Sequence, residues 1–176
     1  MSLFKQLFNL LFGQRHEPTV EAPPVAVHEE SVAPGTNIRF HPELIEKLTG
    51  DHRLLLGLFG ETSDAAARGD VAAAAERLEA FRTALQGHLL TENIRLYVYL
   101  EHLFADDPSS HSLIHEFRHE MDGIGKAVIS FLLKYEELAT HPELAEVFAN
   151  DLAAVGKVLV NRIEREEGTL YPLYTG

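Results

Sequence analysis

Residues 37–176 carry six side chains of metal-ligand type at helical spacing: His52, His88, Glu92, His115, His119 and Glu166. His88 and Glu92 are four residues apart, as are His115 and His119, so each pair projects from one side of a helix. Imidazole nitrogens and carboxylate oxygens gathered in a dry interior cost several kcal/mol when unpaired, and a divalent or trivalent cation satisfies them together. The chain has no cysteine, so a thiolate site, a thiol nucleophile and a disulfide framework are all excluded, and any metal takes nitrogen and oxygen ligands. Iron, manganese and zinc fit that donor set. No nucleophile–base constellation, phosphate-binding loop or dinucleotide fingerprint competes with it.

Four stretches of helical periodicity must position these groups. The first runs from about His41 to Arg68, with Pro42 in its first turn and Gly69 ending it. The second, capped by Asp70, extends to about Phe104. A third begins near Ser109 or Ser110 and reaches about Leu138. Thr140 and Glu143 resemble a capping box opening a fourth, which stops near Tyr171 and Pro172. Breaks this short predict an all-α, antiparallel up-down-up-down four-helix bundle. In it the starts of helices one and three lie level with the ends of helices two and four. At about 1.5 Å per residue, the six ligand-type side chains then fall within roughly one to two turns of each other. Leu85, Leu89 and Leu96 around His88 and Glu92, and Phe117 and Met121 around His119, are read as placing those faces inward. His16, His28, His41, His102, His111 and His141 lie in the linker, at helix starts or near a bundle end and are assigned to no metal.

Preceding the bundle, residues 1–13 form an amphipathic segment with Lys5, Gln6 and Asn9 on one narrow side, suited to docking on a protein partner. Residues 14–36, with Pro18, Pro23, Pro24 and Pro34, read as a linker. Fifteen basic against twenty-seven acidic residues give a formal charge of -12, which repels nucleic acid. No stretch approaches the roughly 20 apolar residues of a membrane span, and no signal peptide is evident, so the expected location is cytoplasmic.

An internal repeat ties the halves of the bundle together. Asp51-His52-Arg53 is echoed by Arg118-His119-Glu120. The run from His88 through Glu92 to Leu96-Tyr97 is echoed by Arg162 through Glu166 to Leu170-Tyr171. With the Asp51-His52 opening, the His88 and Glu92 pair, the His115 and His119 pair, and the closing Glu166-Glu167 and Leu170-Tyr171-Pro172, residues 37–176 resemble the hemerythrin family, including its bacterial His-His-Glu cation-binding branch.

That resemblance implies non-haem iron, in the family's manner a di-iron pair, with His52, His88, His115 and His119 as histidine ligands and Glu92 as a bridging carboxylate. The second bridging carboxylate is Glu166 by the internal repeat, or Glu167 by the spacing of oxygen-carrying members. The chain departs from the family at Arg162, where a fifth histidine is usual; a guanidinium stays protonated and does not ligate a metal. Two ions with an extra open position, one ion, or none are the alternatives this leaves. The implied role is sensing, carrying or scavenging O₂, NO or peroxide, not turnover of an organic substrate. Iron storage or repair, or a metal-poor regulatory bundle acting through a protein partner, are the other readings.

Overall fold

The computed structural model describes residues 32–176; the expected docking segment 1–13 and linker residues 14–31 lie outside them. Among the described residues the fold is an all-α four-helix bundle. Its rods are α1 (Leu44–Ala67); α2 (Val71–Thr91), continued through a π-helical segment Glu92–Tyr97 into α3 (Val98–Leu103); α4 (Pro108–Lys134); and α5 (Ala145–Arg165), continued through a second π segment Glu166–Leu170 into α6 (Tyr171–Thr175). Residues 32–36, at the end of the expected linker, form a turn closed by a Val32–Arg39 bridge, with Ala33 fully buried.

Local chemistry explains most of the boundaries. Gly69, at a φ of 73°, lets the chain leave α1, and the Asp70 carboxylate accepts a bond from Ala73 N (3.1 Å) to open α2. The third rod starts at Pro108 rather than at Ser109 or Ser110: Asp107 is its cap, bonding Ser109 N at 3.1 Å, and proline suits the first position because no intrahelical bond is lost there. The expected capping box of Thr140 and Glu143 does not form. Thr140 and Glu143 sit in two successive 3-10 turns, Thr140 bonds back to Glu137 O, Glu143 pairs with His141, and α5 begins only at Ala145. Pro172 does not stop the last rod. It lies in the first turn of α6, just past the π segment, where a missing N–H costs little.

Two apolar clusters fill the bundle. One joins the C-terminal part of α1, the start of α2, the end of α4 and the start of α5, through Leu55, Phe81, Leu85, Phe131, Phe148 and Leu159. The other joins the start of α1, the end of the second rod, the start of α4 and the end of the fourth rod, through Leu48, Leu96, Ile114, Phe117 and Leu170. Alternating chain direction is what such a grouping requires. Between Leu48 and Leu55, Leu85 and Leu96, and Leu159 and Leu170, the core is interrupted at one level by His52, His88, Glu92, Arg162 and Glu166, all buried. Gly156 permits close approach of α5 to α1, since a Cβ there would lie 2.6 Å from Phe59 Cζ.

Candidate metal centre

Both π segments begin at a buried carboxylate, Glu92 in one and Glu166 in the other. In an α-helix of about 3.6 residues per turn the residue five positions on turns away from the starting face. The i→i+5 bonding of a π segment brings it back, so Glu92, Leu96 and Tyr97 all point inward, as do Glu166, Leu170 and Tyr171. The repeat visible in the sequence is therefore a repeat of this device, and it delivers two tyrosine hydroxyls to the level of the carboxylates.

His52, His88 and Glu166 each place one ligand atom within 4.8 Å of the others. His52 Nε2 is 3.2 Å from Glu166 Oε2, and the two imidazole rings are tilted with centroids 4.7 Å apart. Glu92 lies beside them, fully buried, close enough to feel the charges of Glu166, Arg162 and His52. Neither oxygen of Glu92, nor Nδ1 of His88, has a hydrogen-bond partner among the described residues. The Tyr171 hydroxyl lies near Glu92, where it favours the charged carboxylate, and is 3.2 Å from His52 Nε2.

Behind the imidazoles stand further carboxylates. Glu167 accepts a bond from His52 Nδ1 at 2.8 Å, which fixes the tautomer and aims Nε2 inward. Asp51 lies 3.8 Å from His88 Nδ1 and is also paired with Lys47. Glu167, half-exposed, is thus an orienting partner, and Glu166 is the inward carboxylate of the pair. Arg162 is buried and engaged on every side. Nε donates to Glu166 Oε1, Nη2 to the Tyr97 hydroxyl (2.6 Å), and Nη1 to Phe117 O (3.1 Å) and Glu120 Oε2 (3.0 Å). Its guanidinium also lies over the Phe117 ring.

The electrostatics follow from this crowding. Burial, the largest influence on His52, disfavours its charge, but the bonds and charges of Glu166 and Glu167 outweigh it and push the pKa to about 9. Burial and the neighbouring His52 charge lower His88 to about 4. Burial, then repulsion by Glu166, raise Glu92 to about 8 against the pull of Arg162 and His52. Burial raises Glu166 too, yet the His52 bond and the Arg162 charge hold it below the usual carboxylate range. Burial, followed by the Glu92 charge, raises both Tyr97 and Tyr171, so their hydroxyls keep their protons.

His115 and His119 are not part of this cluster. Both are exposed on the outer face of α4. The inward stripe of that helix is Ile114, Phe117, Met121, Ile124 and Val128. Residues two apart on a helix face nearly opposite directions, so when Phe117 and Met121 point inward His119 between them points outward. Phe117 and Met121 as flanks of His119 suggest an inward face for it, and the geometry reverses that. His111, one turn earlier, packs against His115 with the rings tilted by 59° and their centroids 4.7 Å apart. Asp51 and Glu120 stand outside the expected ligand set, signalled only by the position of Asp51 beside His52; the shared Leu-Tyr of the repeat signals the Tyr97 and Tyr171 hydroxyls, which reach Arg162 and His52.

A cavity of about 100 Å³ opens onto His52, His88, Arg162 and Glu166, and is otherwise walled mainly by apolar side chains including Leu55, Phe59, Phe81, Met121 and Val160. No helix among the described residues is long and apolar enough to cross a membrane.

A buried pair of imidazoles facing carboxylates at one level of a four-helix bundle defines a cation-binding helical protein. The family model described as "Hemerythrin HHE cation binding domain" matches residues 43–174, and the chain belongs to that family. Neither a search of curated proteins nor one of solved structures returned a match.

Proposed function

We propose that the chain is a non-haem iron protein that meets a small oxidant or diatomic ligand, O₂, NO or peroxide, as a sensor, carrier or scavenger. Buried donors without partners carry this reading. The two Glu92 oxygens are sealed from water beside His52 and Glu166, at a cost of order 1–3 kcal/mol for each unsatisfied group. A cation held by His52, His88, Glu92 and Glu166 removes that cost, and the donor set of imidazole and carboxylate suits iron, with manganese and zinc as competitors. A metal-poor bundle closed by Arg162 leaves the cost standing, because Arg162 is spent on Glu166, Tyr97, Phe117 and Glu120.

When bound, iron supplies an open coordination position and a change of oxidation state. The chain supplies the rest. Glu167 orients His52, the Tyr171 hydroxyl offers a proton beside His52 Nε2, and Leu55, Phe59, Phe81 and Met121 keep bulk water from the cavity. A mostly apolar cavity of about 100 Å³ beside the donors holds a molecule of a few atoms, which suits a small ligand.

The test is to load purified protein with Fe(II) anaerobically, measure retained iron after dialysis, and record the visible spectrum before and after O₂, NO and peroxide. Iron retained by the natural protein, lost in Glu92→Gln, and answering one of these ligands spectrally is the expected result. Iron that washes out of the natural protein, or that is retained but answers none of them, defeats the reading.

A further inference from the structure

The two halves of the site are unequal, and the inequality bears on how many ions it holds. From α1 and the second rod come His52, His88 and Glu92, with Glu167 and Asp51 behind the imidazoles. At corresponding places in the other half stand Phe117 and Met121 on α4 and Arg162 on α5, with no imidazole, since His115 and His119 face outward. By the internal repeat Arg162 is the counterpart of His88, each four residues before a carboxylate that opens a π segment. One half can ligate a cation; the other already contains one.

Glu166 is divided between them. Its Oε1 accepts from Arg162 Nε, and its Oε2 faces His52 Nε2 at 3.2 Å. A carboxylate with one oxygen committed to a guanidinium is a poorer bridge between two metal ions than one with both oxygens free, because a cation already occupies the side that a second ion would take. Arginine keeps its proton throughout the accessible pH range and has no lone pair to give a metal, so its place in the site is permanently cationic.

We infer that the centre binds a single metal ion, held by His52, His88, Glu92 and Glu166, and that Arg162 is a built-in cation standing in place of a second ion. This rests on the metal-binding reading above. In a site so built no second metal would share the charge of the first.

Native mass spectrometry of the full chain after loading with Fe(II), Zn(II) or Mn(II) counts the ions, and the electron paramagnetic resonance of the Mn(II) form reports whether they are magnetically isolated. The count is made in parallel on a His111→Ala/His115→Ala/His119→Ala variant, which removes the outward imidazoles of α4 as a surface chelate. One ion per chain in that variant, with the spectrum of isolated Mn(II), is expected. Two ions there, or an exchange-coupled Mn(II) spectrum, overturn the inference while leaving the metal-binding reading intact; no ion in either protein overturns both. Met121→His/Arg162→His in the same background should raise the count from one to two. A folded double variant that stays at one ion overturns the role given to Arg162, and the count on the unmodified interior stands whether or not the double variant folds.

Discussion

Replacing Arg162 by methionine isolates what a buried cation contributes when no metal is present. Methionine keeps an unbranched apolar stem while removing the donors to Glu166, the Tyr97 hydroxyl, Phe117 O and Glu120. Breaking a buried ion pair from one side costs about 3–5 kcal/mol, because the remaining charge stays buried without a counterion. Glu166 is buried, and Glu92, whose pKa already stands at about 8, loses the one guanidinium that opposes its rise. For a chain of this length about 1 kcal/mol corresponds to roughly 2–4 °C, so the metal-free Arg162→Met protein should melt about 6–20 °C below the natural one. With a saturating divalent cation the gap should narrow, since the ion then supplies the missing positive charge and binds a more anionic site more tightly. Paired thermal scans in chelator and in metal measure both differences. A metal-free variant melting within about 2 °C of the natural protein, or a gap that metal widens, would refute the reasoning.

The metal-free chain should lose stability as pH rises from 6.5 to 9. His52 is raised from 6.5 to about 9 and Glu92 from 4.5 to about 8, so the folded state binds more protons than the unfolded one. The His52 contribution is present below pH 6.5 and lost as pH climbs through about 9; the Glu92 penalty grows between 4.5 and about 8. His88, lowered from 6.5 to about 4, acts the other way, only as pH falls from 6.5 to 4. At about 1.4 kcal/mol per unit the loss amounts to several kcal/mol, and urea titrations in chelator that show stability rising from pH 6.5 to 9 would contradict it. Metal uptake at pH 7 should release about two protons, from His52 and Glu92, detectable as a dependence of the calorimetric heat on buffer ionisation enthalpy. Glu167→Ala, which removes the acceptor of His52 Nδ1, should weaken metal binding about 10–100-fold, and unchanged affinity in a competition titration would deny Glu167 its orienting role. Gly156→Ala drives a methyl to 2.6 Å from Phe59 Cζ and should cost about 1–3 kcal/mol, or push Phe59 into the cavity and slow ligand access; a variant neutral in both denaturation and ligand kinetics rules out that packing.

Much of this protein is written in local pattern. Apolar periodicity with Gly69, Asp70, Asp107 and Pro108 at the breaks is enough to predict four rods, because capping and helix termination act over a few residues. The absence of cysteine limits the donors to imidazole and carboxylate, and the recurring run ending in Leu-Tyr marks the paired π segments before their geometry is known. Local pattern failed where the outcome depended on helix rotation. His115 and His119 share ligand chemistry and spacing with the buried cluster, yet α4 turns Phe117 and Met121 inward because burying them gains more than burying two imidazoles on a wall that already holds Arg162. Likewise Glu166 and Glu167 are adjacent carboxylates of one type; Glu166 continues the buried stripe of Leu152, Gly156, Leu159 and Arg162 and faces the interior, while Glu167 grips His52 from outside. Which donors converge is a property of how four rods are rotated against each other, and that rotation is set by packing across the whole bundle, beyond the reach of any one segment.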